Sequence, residues 1–135
     1  MKYLLDVNAL ISLGFTEHDF NVRVSSWADS LVSQGESEFA TTPITELGFV
    51  RVLSQAPAYG TSVAAARDLL EQLKEISDIK FSFIPDDHNI SQLPSWVKTA
   101  RHTTDGHLAQ LAKANGAILA TLDERIPGSF LIPGK

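Results

Sequence analysis

An α/β fold is predicted for this sequence: a mainly parallel central sheet flanked by helices, in three layers. Three observations predict it. Short apolar runs of strand length recur along the chain, at Tyr3-Leu4-Leu5, Phe39-Ala40-Thr41, Lys80–Ile84 and Ala117–Thr121. Between them lie segments whose apolar residues repeat at the helical period. Strands that alternate with helices pair in parallel, because each crossover returns the chain to the same end of the sheet. The length of 135 residues suits one domain, 1–135, with no internal repeat, low-complexity tract or Gly/Ser linker to divide it.

The elements follow in order. Tyr3-Leu4-Leu5 is stopped by Asp6 and reads as a buried strand. Over residues 18–33, Phe20, Val24, Trp27 and Leu31 fall on one helical stripe, and Gly35 stands beyond as a stop. Trp27 on that stripe is expected in the core. Phe39-Ala40-Thr41 is a second strand, and Thr42-Pro43 reads as an N-cap with proline at the first helical position, opening a helix to about Leu53. Thr61 or Ser62 caps a further helix, with Val63, Ala66, Leu70 and Leu73 on one face and Arg67, Glu71 and Lys74 towards water. Lys80-Phe81-Ser82-Phe83-Ile84 alternates into a third strand, closed by Pro85-Asp86-Asp87. The stretch from His88 to His102 is mixed, with Trp96 and Val97 expected on a short helix. Thr103-Thr104-Asp105 caps a helix through Leu108, Ala109, Leu111 and Ala112, which Asn115-Gly116 ends. Ala117–Thr121 is a buried strand and Phe130-Leu131-Ile132 a short last one.

Lys and Arg number 11 against 16 Asp and Glu, a formal charge of −5. Such a balance runs against a broad phosphate-backbone binder, which carries a basic surface. Cysteine is absent, which excludes disulfides, a thiol nucleophile and a Cys-based zinc site. No apolar run approaches the roughly 18 residues of a membrane span, and the first residues meet Asp6 too early for a secretory signal. A cytoplasmic protein without membrane contact is expected.

Four acids fall where this architecture builds sites. Asp6 ends the first strand and Asp123 follows the Ala117–Thr121 strand. In open parallel sheets, ligands bind beyond the carboxyl ends of strands where the strand order switches; if those two strands are neighbours there, the two acids share a crevice. Glu46 lies in the first turns of the helix from Pro43, and Asp105 in the first turn of the helix after Thr103. Both helix starts lie at that same end. Each acid alone has an ordinary explanation. Asp6 can cap a helix beginning near Asn8, Asp105 can complement a helix dipole for about 0.3–1 kcal/mol, and Asp123 can close a turn. Glu46 is less easily explained: it lies one residue past the capping-box position Thr45, among Ile44, Leu47, Phe49 and Val50. Crowded carboxylates repel unless a cation neutralises them. Mg²⁺ or Mn²⁺, hard ions with oxygen ligands, fit such a cluster. Ions held this way suit phosphoryl transfer, activating a water and stabilising a leaving oxygen.

These residues resemble a known family, the PIN-domain ribonucleases, and within it the VapC-type toxins of prokaryotic toxin–antitoxin pairs. The resemblance rests on Leu4-Leu5-Asp6-Val7-Asn8-Ala9-Leu10-Ile11, on Thr42-Pro43-Ile44-Thr45-Glu46-Leu47-Gly48-Phe49-Val50-Arg51-Val52-Leu53, on Thr103-Thr104-Asp105-Gly106-His107-Leu108 and on Ala120-Thr121-Leu122-Asp123. It covers nearly the whole chain in the family's order. It implies a PIN-like sandwich in which Asp6, Glu46, Asp105 and Asp123 form an acidic metal site, with Asn8 and Thr121 supporting it or orienting its water. It further implies Mg²⁺- or Mn²⁺-dependent endonucleolytic hydrolysis of RNA, tRNA or rRNA being the usual targets, to a 5′-phosphate and a 3′-hydroxyl. An antitoxin partner and a homodimer built on the helices around 43–54 and 61–76 are implied as well. One departure stands out: Glu124-Arg125-Ile126 lacks the aromatic often found soon after the last acid, and Phe130 is expected to fill that space.

Arg51 is as well placed for RNA phosphate contact as for a structural ion pair. Arg101 and Arg125 lie near the crevice in sequence and either steer a phosphate or stand solvated. His102 and His107 bracket Asp105 without zinc spacing, and His107 is expected to be structural. Trp96 is a candidate for base stacking. Other readings share the motif or part of it: a PIN nuclease of RNA maturation or decay, an inactive PIN binding module, and a haloacid-dehalogenase-like phosphatase. The last fits poorly because Asn8 stands where its second Asp would be. Setting the four acids aside leaves 12 acids against 11 bases, so most of the net acidity belongs to the proposed site and does not exclude RNA.

Overall fold

The computed structural model describes residues 1–134. Five strands form one sheet: β1 (Lys2–Leu5), β2 (Glu38–Thr41), β3 (Lys80–Phe83), β4 (Ala117–Thr121) and β5 (Phe130–Leu131), in the order β3-β2-β1-β4-β5. Every pairing is parallel. The central strands read as continuous apolar runs because both faces are covered. Tyr3, Leu5, Phe39 and Ala120 point into one core with α1 (Val7–Gly14), α2 (Asn21–Gln34), α3 (Pro43–Gln55) and α4 (Val63–Ile76). Their neighbours Leu4, Ala40 and Leu119 point the other way, against α5 (Thr103–Ala114). This period-two alternation places helices on both faces, so the three-layer parallel α/β sandwich is the observed fold.

Trp27 is 5% exposed. Its ring lies 5.0 Å from Tyr3, 5.4 Å from Phe39 and 5.4 Å from Phe130. Phe130 therefore fills the core under α2 and does not stand in for an aromatic beside Asp123. The chain runs from β1 out to β3 on one side and returns to β4 on the other. The strand order thus switches between β1 and β4, where Leu5 pairs with Ala120.

Two further expectations change. The second helix begins at Asn21, not near residue 18, because the His18 ring captures the Phe20 amide at 3.0 Å and holds the loop short of the helix. Phe20 is thereby lifted off the apolar stripe. Trp96 and Val97 form a turn, with the Val97 amide bonded to the Pro94 carbonyl at 3.1 Å, and the only helical turns nearby are the 3₁₀ turns Ile90–Gln92 and Ala100–His102. Pro94 supplies no amide to a longer helix. Among the described residues no helix is long and apolar enough to cross a membrane.

Candidate functional site

Asp6 leaves β1 at the switch point. Its amide bonds the Ala120 carbonyl at 3.2 Å, and its carboxylate accepts the Ala9 amide at 2.8 Å as the N-cap of α1. The helix-cap explanation is thus correct for Asp6, and it leaves the second carboxylate oxygen for other work. Asp105 sits in the first turn of α5 and Asp123 just beyond β4. The three acids line one cleft of about 510 Å³, with Asn8, His18, Phe20, Thr121, Leu122, Glu124 and Arg125. Thr121 is fully buried beneath it; its hydroxyl accepts the Asp123 amide at 3.0 Å and lies against the Asp6 carboxylate, stabilising the charged form. One side chain thereby ties the two acids together.

The three carboxyls differ in how readily they ionise. Burial pushes Asp6 up to about 6, against the opposing pull of Thr121 and Ala9, while Asp105 and Asp123 raise it further. Asp105 is raised too, first by burial and then by the charge on Asp123. Asp123 is brought down to about 2 by Arg125, which grips both oxygens through Nε and a terminal nitrogen at 3.0 Å and through its backbone amide at 2.9 Å. Of the arginines, Arg125 is therefore tied to an acid of the site. Arg101 lies close enough to favour the charged form of Asp105, and Arg51 is exposed on α3, outside the cleft lining.

Glu46 does not join the three. Its carboxylate accepts the Thr41 hydroxyl at 2.6 Å and pairs with Lys74 of α4. It lines a different cleft, between α3 and α4, with Leu47, Val50 and Val63. The geometric reason is the partner on α4: Lys74 draws the side chain towards that helix, an attraction that the sequence reading placed in solvent. In its place the structure brings His102. That imidazole, Asp105 and Asp123 present ligand atoms within 4.8 Å of one another. Thr99 Oγ1 lies 3.2 Å from its Nδ1, and Nε2 is buried without a partner. The signal was available as a His three residues before an Asp at a helix start, spacing that places both on one side of the first turn. His107 instead bonds Asp86 at 2.6 Å, pinning the segment after β3 to α5, a structural contact as expected. Trp96 packs against the core below α5 and lines another cleft.

His102, Asp105 and Asp123 lie close enough to hold one ion together, with Asp6 in the same cleft, and the carboxylate oxygens suit a divalent ion such as Mg²⁺ or Mn²⁺.

Comparison with known proteins agrees with this geometry. The PIN domain model matches residues 3–128. Ribonuclease VapC39 of Mycobacterium tuberculosis is 34% identical over 133 residues, spanning 96% of this chain and 94% of that protein. Ribonuclease VapC29 of the same organism is 36% identical over 124 residues, spanning 91% and 86%. The crystal structure of VapBC2 from Rickettsia felis bound to a DNA fragment from their promoter contains a chain with the same fold, at a TM-score of 0.60 over 97% of each chain and 16% identity. With a strand order that puts Asp6 beside Asp123 and relatives that span nearly the whole sequence, this chain belongs to the PIN-domain family, in the branch that holds the VapC ribonucleases.

Proposed function

We propose that this protein is a divalent-metal-dependent endoribonuclease, the toxin half of a type II toxin–antitoxin pair acting in the cytoplasm. The observation that carries the reading is the meeting of Asp6, Asp105 and Asp123 in one cleft at the switch point, with the His102 ring close to Asp105 and Asp123. Asp6, Asp105, Asp123 and His102 are the proposed ligands; Glu46 is left out because it lines the separate cleft between α3 and α4, where Thr41 and Lys74 hold its carboxylate. Mg²⁺ or Mn²⁺ bound there supplies an activated water and charge stabilisation at the phosphorus.

The chain's own residues do the rest. The Ala9 amide and Thr121 fix the Asp6 carboxylate, so it needs little reorganisation. Asn8, exposed at the cleft, offers an amide to orient the attacking water. Arg125 and Arg101 hold positive charge beside the phosphate, and the amino-terminal end of α5 adds its dipole. Water attacks the phosphorus in line, the bond to the 3′ oxygen breaks, and the products are a 5′-phosphate and a 3′-hydroxyl. The proton that water gives up has carboxylate acceptors in the cleft.

The relatives' ribonuclease names support RNA as substrate, with tRNA or rRNA loops the targets the resemblance implies. The VapBC2 structure supports an antitoxin partner, and the acidic cleft complements an Arg or Lys from it. Exposed Leu47, Val63 and Phe83 beside the α3–α4 cleft support a homodimer through those helices.

The test is cleavage of total RNA in Mg²⁺ or Mn²⁺ with sequencing of the 5′ ends. Cleavage should stop with EDTA and fall at least about a hundredfold in Asp6→Asn and in Asp105→Asn. Retained cleavage in either variant overturns the site. In parallel, His102→Ala should weaken Mn²⁺ binding, read by electron paramagnetic resonance, and remove nitrogen coupling from the spectrum.

A further inference from the structure

Two aromatic side chains on the wall of the acidic cleft are left unused by the chemistry above. His18 and Phe20 line it together with Asp6, Asp105 and Asp123. Phe20 is 46% exposed and belongs to neither core cluster. An exposed phenylalanine is unremarkable by itself, but this one is built into place. The loop before α2 is fixed by the Phe20 amide, which donates to His18 Nδ1 at 3.0 Å. Ser12 Oγ stands 3.2 Å from the same nitrogen and itself donates to the Asn8 carbonyl at 2.7 Å. Because Nδ1 accepts a backbone proton, the neutral ring carries its own proton on Nε2. The His18 and Phe20 rings lie 5.9 Å apart. Over Phe20, the Arg23 guanidinium carbon stands 6.0 Å from the ring centroid, its nitrogens bonded to the Ile132 carbonyl. An exposed aromatic ring and a single N–H donor thus line the cleft of the carboxylates, with a cation held over that ring.

We infer that Phe20, His18 and Arg23 form a stacking ledge for one unpaired RNA base next to the scissile phosphate. Aromatic faces hold bases of any identity by stacking, and an arginine adds attraction to the same π system. A base in a duplex is already stacked on its neighbours and presents no free face, so the ledge selects RNA that is single-stranded at the cleavage point. His18 Nε2–H then meets an acceptor on the base edge. Trp96, the aromatic that the sequence put forward for stacking, lines another cleft and is not part of this surface. The inference rests on the reading of the cleft as a ribonuclease site.

The experiment uses the full chain carrying Asp105→Asn, so that RNA is bound and not cut. The probes are a fluorescein-labelled, unstructured oligoribonucleotide and the same strand annealed to its complement. Phe20→Ala and Phe20→Leu should each weaken single-strand binding about tenfold or more, whereas Phe20→Tyr stays within about twofold. The duplex should bind weakly to all of them. In the otherwise native enzyme, Phe20→Ala should raise KM more than it lowers kcat. Single-strand affinity unchanged in Phe20→Ala, or Phe20→Leu equal to the parent, or duplex bound as tightly as single strand, overturns the ledge. If that happens while Asp105→Asn still abolishes cleavage, the ribonuclease reading stands and the ledge alone fails. If the native protein cleaves no RNA in Mg²⁺ or Mn²⁺, both fall together.

Discussion

Asp6 caps α1 through the Ala9 amide and at the same time carries a carboxyl whose pKa burial has pushed up to about 6. A folded-state value above the ordinary 3.8 means that the native protein holds this proton more tightly than the unfolded chain. The resulting stability is complete below about pH 3.8 and is lost as pH rises through about 6. About two pKa units correspond to about 3 kcal/mol, an upper figure for the metal-free protein. Asp105 shifts in the same direction and adds to the slope. Asp6→Asn removes the ionisation and keeps the cap, since Asn caps as well as Asp. The metal-free variant should therefore melt several degrees above the native protein at pH 7–8 and with it at pH 3.5, in thermal scans with EDTA. Parallel pH profiles for the two proteins would refute this. At this scale the meeting of Asp6, Asp105 and Asp123 in one cleft was legible in the sequence, because strand ends and helix starts share one end of the sheet. The sequence could not carry the rotamer of Glu46, which Lys74 decides from 28 residues away. Nor could it show that His102 comes within ligand distance of Asp105 and Asp123.

Among the elements, α5 depends on a close approach. A Cβ at Gly106 would stand 2.3 Å from Val97 Cγ2, so the turn carrying Val97 rests directly on the first turn of the helix. In an open helix, Gly→Ala stabilises by about 1 kcal/mol. Here the overlap should reverse the sign and cost about 1–3 kcal/mol. Gly106→Ala is expected to lower the denaturation midpoint and to weaken Mn²⁺ binding, because Asp105 is the adjoining residue. Adding Val97→Ala should restore most of both. A Gly106→Ala protein as stable as the native one would show that the turn yields without cost. The turn is also where sequence reading fell short. Residues 88–102 have no dominant period, and Pro94 permits only the short turns observed. The opposite holds for α3, where Thr42-Pro43 marks the start and the Thr45 hydroxyl accepts the Thr42 amide at 3.0 Å. For α2 the apolar stripe located Val24, Trp27 and Leu31 in the core. It misplaced the start, since a bond from the Phe20 amide to a histidine ring leaves no trace in hydrophobic spacing.

Across the whole molecule, the charge distribution fixes how RNA must be held. Setting aside the three acids of the cleft leaves 13 acids against 11 bases, so no surplus of cations exists to cover a long stretch of backbone. The arginines near the cleft are Arg23, Arg101 and Arg125, and Arg125 is shared with Asp123. At most three phosphate contacts release few counterions, and for single-stranded RNA the logarithm of the binding constant should fall with the logarithm of salt at a slope no steeper than about −2. The three carboxylates repel a phosphate until a divalent ion reverses the local field. EDTA is therefore expected to lower the affinity of the Asp105→Asn protein for single-stranded RNA. Fluorescence anisotropy over a range of monovalent salt, with and without Mg²⁺, measures both quantities. A slope steeper than about −4 would mean that cations far from the cleft grip the RNA backbone. Binding indifferent to EDTA would place the RNA elsewhere on the protein. A shallow slope with strong dependence on the ion is what a compact acidic cleft with few flanking arginines requires, and it separates this molecule from nucleic-acid binders that work through a basic face.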